Sequence, residues 1–288
     1  MLSYQHGYHA GNAADVHKHL ILLATILRMQ QKSSAIHYFD THAGKGMYDL
    51  RDAQAQKTGE YLHGVQLALN LRDDLATQPQ WQHYFSALAA VNQGDDNTLE
   101  FYPGSPALVA DLTREQDRHT VFELHPQEHQ LLTAQESRQT GYVIYGDGLQ
   151  GILQQLPPKT PRLLALIDPA YENKDEYAAV ATTVSKIMQR CRHAVVLVWY
   201  PLLPAARHEE LLQRLATELQ QPILQSEFHY KAMSGERGMY GSGMLVINPP
   251  WQIEAEIETL LAPLLPAYAP IYGAPAQLQQ TWLRKEND

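Results

Sequence analysis

The chain has 288 residues, 44% of them apolar, which suits a folded globular protein and excludes a disordered one. Its formal charge of −9 argues against broad, non-specific binding to nucleic acid, although local basic spots remain at His17-Lys18-His19, Lys45, Lys231 and Arg237. The longest apolar runs, such as Ala194–Tyr200, are too short to cross a bilayer. The N-terminal MLSYQHGYHAGN has no basic and apolar leader, and Cys191 has no cysteine partner. A cytoplasmic protein with no membrane partner is therefore expected.

In chain order, residues 13–30 read as an amphipathic helix. Asn12 and Asp15 resemble a capping box, and Val16, Leu20, Leu23 and Leu27 recur at helical spacing. Ile36–Asp40 reads as a strand, followed by THAGKG. Residues 59–70 and 81–91 read as helices, with Leu62, Val65 and Leu69 on one face and Trp81, Phe85, Leu88 and Val91 on the other. Ser105 is the expected N-cap of a helix that has Pro106 in its first turn. Strands then alternate with helices: Thr120–Glu123, a helix after Pro126, Tyr142–Tyr145, Leu163–Ile167, Ala194–Tyr200, a helix over 206–220, and two last strands at Ile223–His229 and Met244–Asn248 with a glycine-rich loop between them. Repeated β-α units predict a mostly parallel, doubly wound sheet. Residues 1–50 and 99–275 are expected to form this core, 51–98 an inserted helical subdomain, and 276–288 a loose tail.

Four strands end at an acid: Asp40, Glu123, Asp147 and Asp168. Ligands of an open parallel sheet bind outside the carboxyl ends of its strands. THAGKG is neither GxGxxG nor a P-loop, and an acid-rich rim suits a cation with a ribose better than a pyrophosphate. Glu123 is placed to accept from ribose hydroxyls and Asp147 from an adenine amine. For any one acid, a helix cap or turn is an equally good reading.

Asp168-Pro169-Ala170-Tyr171 follows the strand LLALI. An adenine N6 lone pair is delocalised into its ring and is a poor nucleophile. A carboxylate and a backbone carbonyl that accept from the amine draw it towards sp³ geometry and stabilise the charge that develops on methylation, while an aromatic ring stacks on the base. Asp168, the Pro169 carbonyl and Tyr171 suit these three tasks; a strand-end turn capped by Asp168 is the plainer reading. Trp199-Tyr200-Pro201 suits either a base pocket or an aromatic core. The spacing of His6, His9, His17 and His19 matches no standard metal site, so no metal is expected and the histidines are read as lying at solvent or cofactor.

The stretches MLSYQHGYHAGNAADVHKH, FDTHAGKGMYDL, KTGEYLHG, FYPGSP, ELHP, GDG, IDPAY, WYP and GSGMLVINPPW together resemble the ribosomal RNA large subunit methyltransferase J family along essentially the whole chain. The resemblance implies a class I S-adenosylmethionine (SAM)-dependent methyltransferase core, Rossmann-like, with an inserted helical subdomain. It implies methylation of an adenine N6 in 23S ribosomal RNA, at adenine 2030 in the usual numbering. It places His19, His42, Ser105, Glu123, Asp147, Gly148 and Asp168 at the cofactor, with Lys18 beside them. Asp168 would be the catalytic acceptor and Tyr4 would lie against the target nucleotide. The family's Asp-Pro-Pro-Tyr reads Asp-Pro-Ala-Tyr here, and loss of the second proline removes a φ constraint from the turn. The expected partner is 23S rRNA before or early in assembly, and the expected state a monomer. A DNA adenine methyltransferase and a non-catalytic RNA-binding factor on the same fold are the competing readings; the missing GxGxxG disfavours a dehydrogenase.

Overall fold

The computed structural model describes residues 5–94, 99–136, 141–233, 235 and 238–285. After a 3-10 turn at His6–Tyr8 comes helix α1 (Ala13–Gln30), whose first turn is capped by the Asn12 side chain accepting from the Asp15 amide at 2.9 Å. Strand β1 (Ile36–Asp40) follows. Two short strands, β2 (Met47–Asp49) and β3 (Phe101–Pro103), pair antiparallel apart from the main sheet. Between them lie α2 (Ala53–Thr58), a 3-10 turn at Glu60–His63, α3 (Val65–Asn70), α4 (Arg72–Leu75) and α5 (Pro79–Val91). The remainder runs α6 (Ser105–Ala110), β4 (Arg118–Glu123), α7 (Pro126–Glu136), β5 (Gly141–Tyr145), α8 (Gly148–Gln154), β6 (Arg162–Ile167), α9 (Asp175–Arg190), β7 (Val195–Leu202), α10 (His208–Glu218), β8 (Ile223–His229), β9 (Gly241–Ile247), α11 (Ile253–Leu261), a 3-10 stretch at Ala262–Tyr268, α12 (Ala269–Tyr272) and β10 (Gln277–Arg284).

Eight strands form one sheet in the order β10-β8-β9-β7-β6-β1-β4-β5. β5, β4, β1, β6 and β7 are parallel, and β9 inserts antiparallel between β7 and β8. Without β10 this is the class I methyltransferase sheet, whose penultimate strand in space is reversed. Alternation along β6 shows how the sheet fills both faces. Leu164 and Leu166 join α1, α5 and α11 in one core, whereas Leu163, Ala165 and Ile167 join α8, α9 and α10 in the other. Trp81, Tyr84, Phe85 and Leu88 of α5 lie in the same core as α1, and the Trp81 indole donates to the Leu260 carbonyl at 3.1 Å.

Three local expectations are corrected. The helix expected over 59–70 is broken at Gly59 (φ +61°) and again at Gly64. A Cβ at Gly64 would lie 2.1 Å from the Gly11 carbonyl oxygen, and the Val65 amide donates to that oxygen at 2.8 Å, so tertiary packing sets the break and leaves Leu62 exposed. Gly104, not Ser105, caps α6, because the Ser105 hydroxyl is spent on Asp40 at 2.6 Å. The expected loose tail is instead β10 over Gln277–Arg284, antiparallel to β8, with the Trp282 indole donating to Glu254 at 2.8 Å and Leu278 and Leu283 packed on the two cores.

Deleting residues 276–288 should therefore cost about 2–4 kcal/mol from the lost partial burial of Leu278, Trp282 and Leu283. Urea unfolding of the truncated and full chains measures it; an unchanged midpoint would return this segment to the status of a loose tail.

Candidate active site

The direction of strand succession reverses between β1 and β6, the place where an open parallel sheet opens a crevice. A cleft of about 380 Å³ lies there. Lys18, His19, His42, Ser105, Glu123, Asp147, Gly148, Asp168, Pro169 and Tyr171 all border it. The structure thus brings together every site residue expected from the sequence except Tyr4, which lies outside the described residues.

The four strand-end acids divide into two kinds. Asp40 and Asp147 do structural work. Asp40 is fully buried and accepts from the Tyr38 and Ser105 hydroxyls at 2.9 and 2.6 Å and from the His42 amide at 3.1 Å. Asp147 caps α8, accepting from the Leu149 and Gln150 amides at 2.9 and 3.2 Å. It still faces the cleft, and a Cβ on Gly148 beside it would strike the Thr41 carbonyl at 2.0 Å, so glycine is required where the β1 and β5 loops meet. Glu123 accepts one backbone amide on each oxygen, from Gly44 at 2.8 Å and His125 at 2.6 Å, which leaves a lone pair on each for a ligand. Gly44 sits at φ +62°, the left-handed geometry that turns its amide back onto Glu123.

Asp168 is the other kind. It follows β6 directly, its side chain is 13% exposed, and its Oδ2 accepts from the Lys18 ammonium at 2.5 Å. Among the described residues Oδ1 has no hydrogen-bond partner, and it belongs to the carboxylate that borders the cleft. Burial pushes the Asp168 carboxyl up to about 6, against the opposing pull of Lys18. Lys18 is itself buried. Burial alone would lower it, but Asp15 and Asp168 outweigh burial and hold it above the ordinary lysine value. Its Nζ is 2.8 Å from Asp15 and 5.9 Å from the centre of the Trp199 ring.

Tyr171 closes the floor. Its backbone is left-handed (φ +52°), its hydroxyl donates to the Trp199 carbonyl at 2.8 Å, and its ring stacks on Tyr177 with centroids 4.2 Å apart. The residues of Trp199-Tyr200-Pro201 part company. Trp199 and Pro201 border the cleft, whereas Tyr200 is buried and donates to Glu227.

Among the histidines, His17 corrects the expected place at solvent or cofactor, and His17 and His19 correct the expected basic spot. His17 and His19 are buried, and burial pushes both down to about 3, so neither adds to a basic patch. His17 lies neither at solvent nor in the cleft; it bridges Ser242 and Ser226 at 3.0 and 3.2 Å. His19 meets the Tyr102 hydroxyl at 2.7 Å. Burial pushes His42 down to about 4. Lys45 lies 3.9 Å from Asp52, and Arg237 is outside the described residues. His6, His9 and His19 border the cleft, in keeping with the reading at solvent or cofactor, whereas sequence reasoning missed Asp15, Leu203 and Met239. The i,i+3 spacing of Asp15 and Lys18 was the one available signal.

The chain resembles known proteins over nearly its full length. A family model described as "Ribosomal RNA large subunit methyltransferase D, RlmJ" matches residues 33–283. The Ribosomal RNA large subunit methyltransferase J of Escherichia coli is 37% identical, covering 91% of this chain and 92% of that protein. Its namesake from Haemophilus influenzae is 35% identical over 94% and 95%. The crystal structure of protein LPL1258 from Legionella pneumophila superposes with a TM-score of 0.86 at 30% identity, covering 95% of this chain and 98% of that one. With matches of this extent, the chain belongs to the ribosomal RNA large subunit methyltransferase J family.

Proposed function

We propose that this protein methylates the exocyclic N6 of an adenine in 23S ribosomal RNA, with SAM as methyl donor. The observation that carries the reading is Asp168: a partly buried carboxylate at the head of an Asp-Pro-Ala-Tyr turn, one oxygen held by Lys18 and the other left for a ligand. The names of the curated relatives support rRNA as the substrate class.

The residues present fit SAM. The cleft is large enough for a compact ligand of this size. Glu123, with a lone pair left on each oxygen, suits ribose hydroxyls, and Asp147 and the Gly148 backbone suit the adenine end. The acidic rim suits a cation. When bound, SAM supplies an electrophilic methyl group on a sulfonium. The protein's contribution is to prepare the acceptor. Asp168 Oδ1 and the Pro169 carbonyl accept from the amine, localise its lone pair and stabilise the positive charge that grows on nitrogen. Tyr171 and Trp199 wall the base, and burial of Lys18 and Asp168 keeps these electrostatics from being screened by water. No step calls for a metal. Within the same reading, the helices of 51–98 form an insertion on a core made of 1–50 and 99–275, the chain acts as a cytoplasmic monomer, and the RNA is met before or early in assembly.

Radiolabelled methyl transfer to deproteinised 23S rRNA, assembled large subunits and genomic DNA tests the assignment. Label is expected on the free rRNA, as N6-methyladenine, undiminished by EDTA; label on DNA alone, or on none of the three, would refute it. Because Asp168 must be ionised to accept from the amine, and its carboxyl is raised to about 6, kcat should fall as pH drops through about 6 and level off above it. Asp168→Ala should cut turnover by about 10²–10³ with the fold intact. In a calorimetric titration with SAM, Glu123→Ala should lose about 1–3 kcal/mol of affinity, and unaltered binding would remove Glu123 from the site.

A further inference from the structure

Asp15 is the third residue of α1 and is almost fully buried. Acids are common in a helix's first turn because they face its positive end. An exposed acid serves that purpose, and here the Asn12 side chain already caps the turn. The Asp15 carboxylate is committed elsewhere. Oδ1 lies 2.8 Å from Lys18 Nζ, and Oδ2 accepts from the Gly11 amide at 2.9 Å and meets His6 Nε2 at 2.9 Å. The Lys18 ammonium therefore lies between two carboxylates, Asp15 at 2.8 Å and Asp168 at 2.5 Å.

The count of charges matters. An isolated Lys18–Asp168 pair would be neutral, and the ammonium would draw the charge of Asp168 away from the cleft. A second buried carboxylate gives Asp15, Lys18 and Asp168 together one net negative charge, before His6 is counted, next to the position where the methylated amine becomes positive. Asp15 also holds the ammonium by a second contact, which fixes it on Oδ2 and leaves Oδ1 for the amine.

We propose that Asp15 is a positioning residue for methyl transfer: it shares Lys18 with Asp168, so that the ammonium does not cancel the charge Asp168 presents to the substrate amine, and it leaves Oδ1 turned to that amine. This rests on the reaction assigned above. The charged and titratable groups around Asp168 are Lys18 and Asp15 from α1, His6 from the N-terminal turn, Tyr38 from β1 and Tyr171 from its own turn. Burial pushes the Asp168 carboxyl up, Asp15 adds to that push and Lys18 pulls it down, so losing Asp15 lets the pull of Lys18 act against burial alone.

Asp15→Asn keeps the shape, Asp15→Ser serves if the amide disrupts folding, and Asp15→Glu restores the charge. The first readout needs neither activity nor ligand: a carbon-13 NMR titration of the Asp168 carboxyl, assigned by its loss in Asp168→Asn. Asp168 should titrate lower in the neutral variants than in the parent chain. The acid limb of kcat should move down with it, the plateau kcat should fall about tenfold or more, KM for SAM should stay within about twofold, and Asp15→Glu should bring the limb back. An unmoved Asp168 titration in an active parent background, or a loss of kcat with the limb in place, would overturn the role and leave Asp15 a merely structural residue. A parent chain that transfers no methyl group would overturn the assigned reaction, and the positioning role with it.

Discussion

The buried ammonium of Lys18 is the constraint on which the site depends. Removing an ammonium from water costs several kcal/mol even after relaxation, and only close opposite charges offset that cost. Asp15 and Asp168 meet it at 2.8 and 2.5 Å, one on the same helix and one at the end of β6. Losing either contact would leave the ammonium with one buried counter-charge in place of two. The pairing therefore fixes α1, which precedes the first strand, to the carboxyl end of a strand well over a hundred residues later. It does so at the place where the sheet opens its crevice.

The rest of α1 follows from the same position. A helix with one wet face would need one apolar stripe, but this helix is buried along most of its length and meets polar groups on several sides. His17 sits between serines of β8 and β9, His19 meets Tyr102, and the Thr25 hydroxyl folds back onto the Ile21 carbonyl at 2.7 Å. Each of these buried polar side chains of α1 has a partner, as burial demands. The two imidazoles stay neutral, so the chain's −9 charge is not relieved locally by a His17-Lys18-His19 patch. What reads as a basic triplet along the chain is, in three dimensions, one cation held by two acids.

That difference marks how far the sequence could be read. Asp40, Glu123, Asp147 and Asp168 were legible because strand periodicity shows where each strand ends, and parallel strands bring those ends to one edge. Their separate jobs were not legible. Asp147 caps α8 through the Leu149 and Gln150 amides, whereas Asp40 gathers the Tyr38 hydroxyl of its own strand and the Ser105 hydroxyl that α6 brings to it. Asp15 read as half of a capping box because only its neighbours in sequence were visible; its use depends on Asp168, which is distant along the chain. The break at Gly64 depends on Gly11 passing over it. β10 escaped notice because the stretch QLQQTWLR carries few apolar residues and pairs as an edge strand, where polar side chains are tolerated.

The turn after β6 shows how such distant contacts replace a local rule. A second proline would restrict φ at position 170 and bias position 169 away from helical geometry. With Ala170 in its place, neither restraint operates. The chain nevertheless holds Tyr171 in a left-handed conformation, which for a bulky side chain costs about 1–3 kcal/mol. The Tyr171 hydroxyl bonded to the Trp199 carbonyl and the ring stacked on Tyr177 supply compensating interactions of similar size. Both anchors come from outside the tetrapeptide, one from β7 and one from α9. On its other side, Lys18 holds the Asp168 carboxylate. The turn is clamped at both ends by tertiary contacts, and the residue between them is free to be alanine.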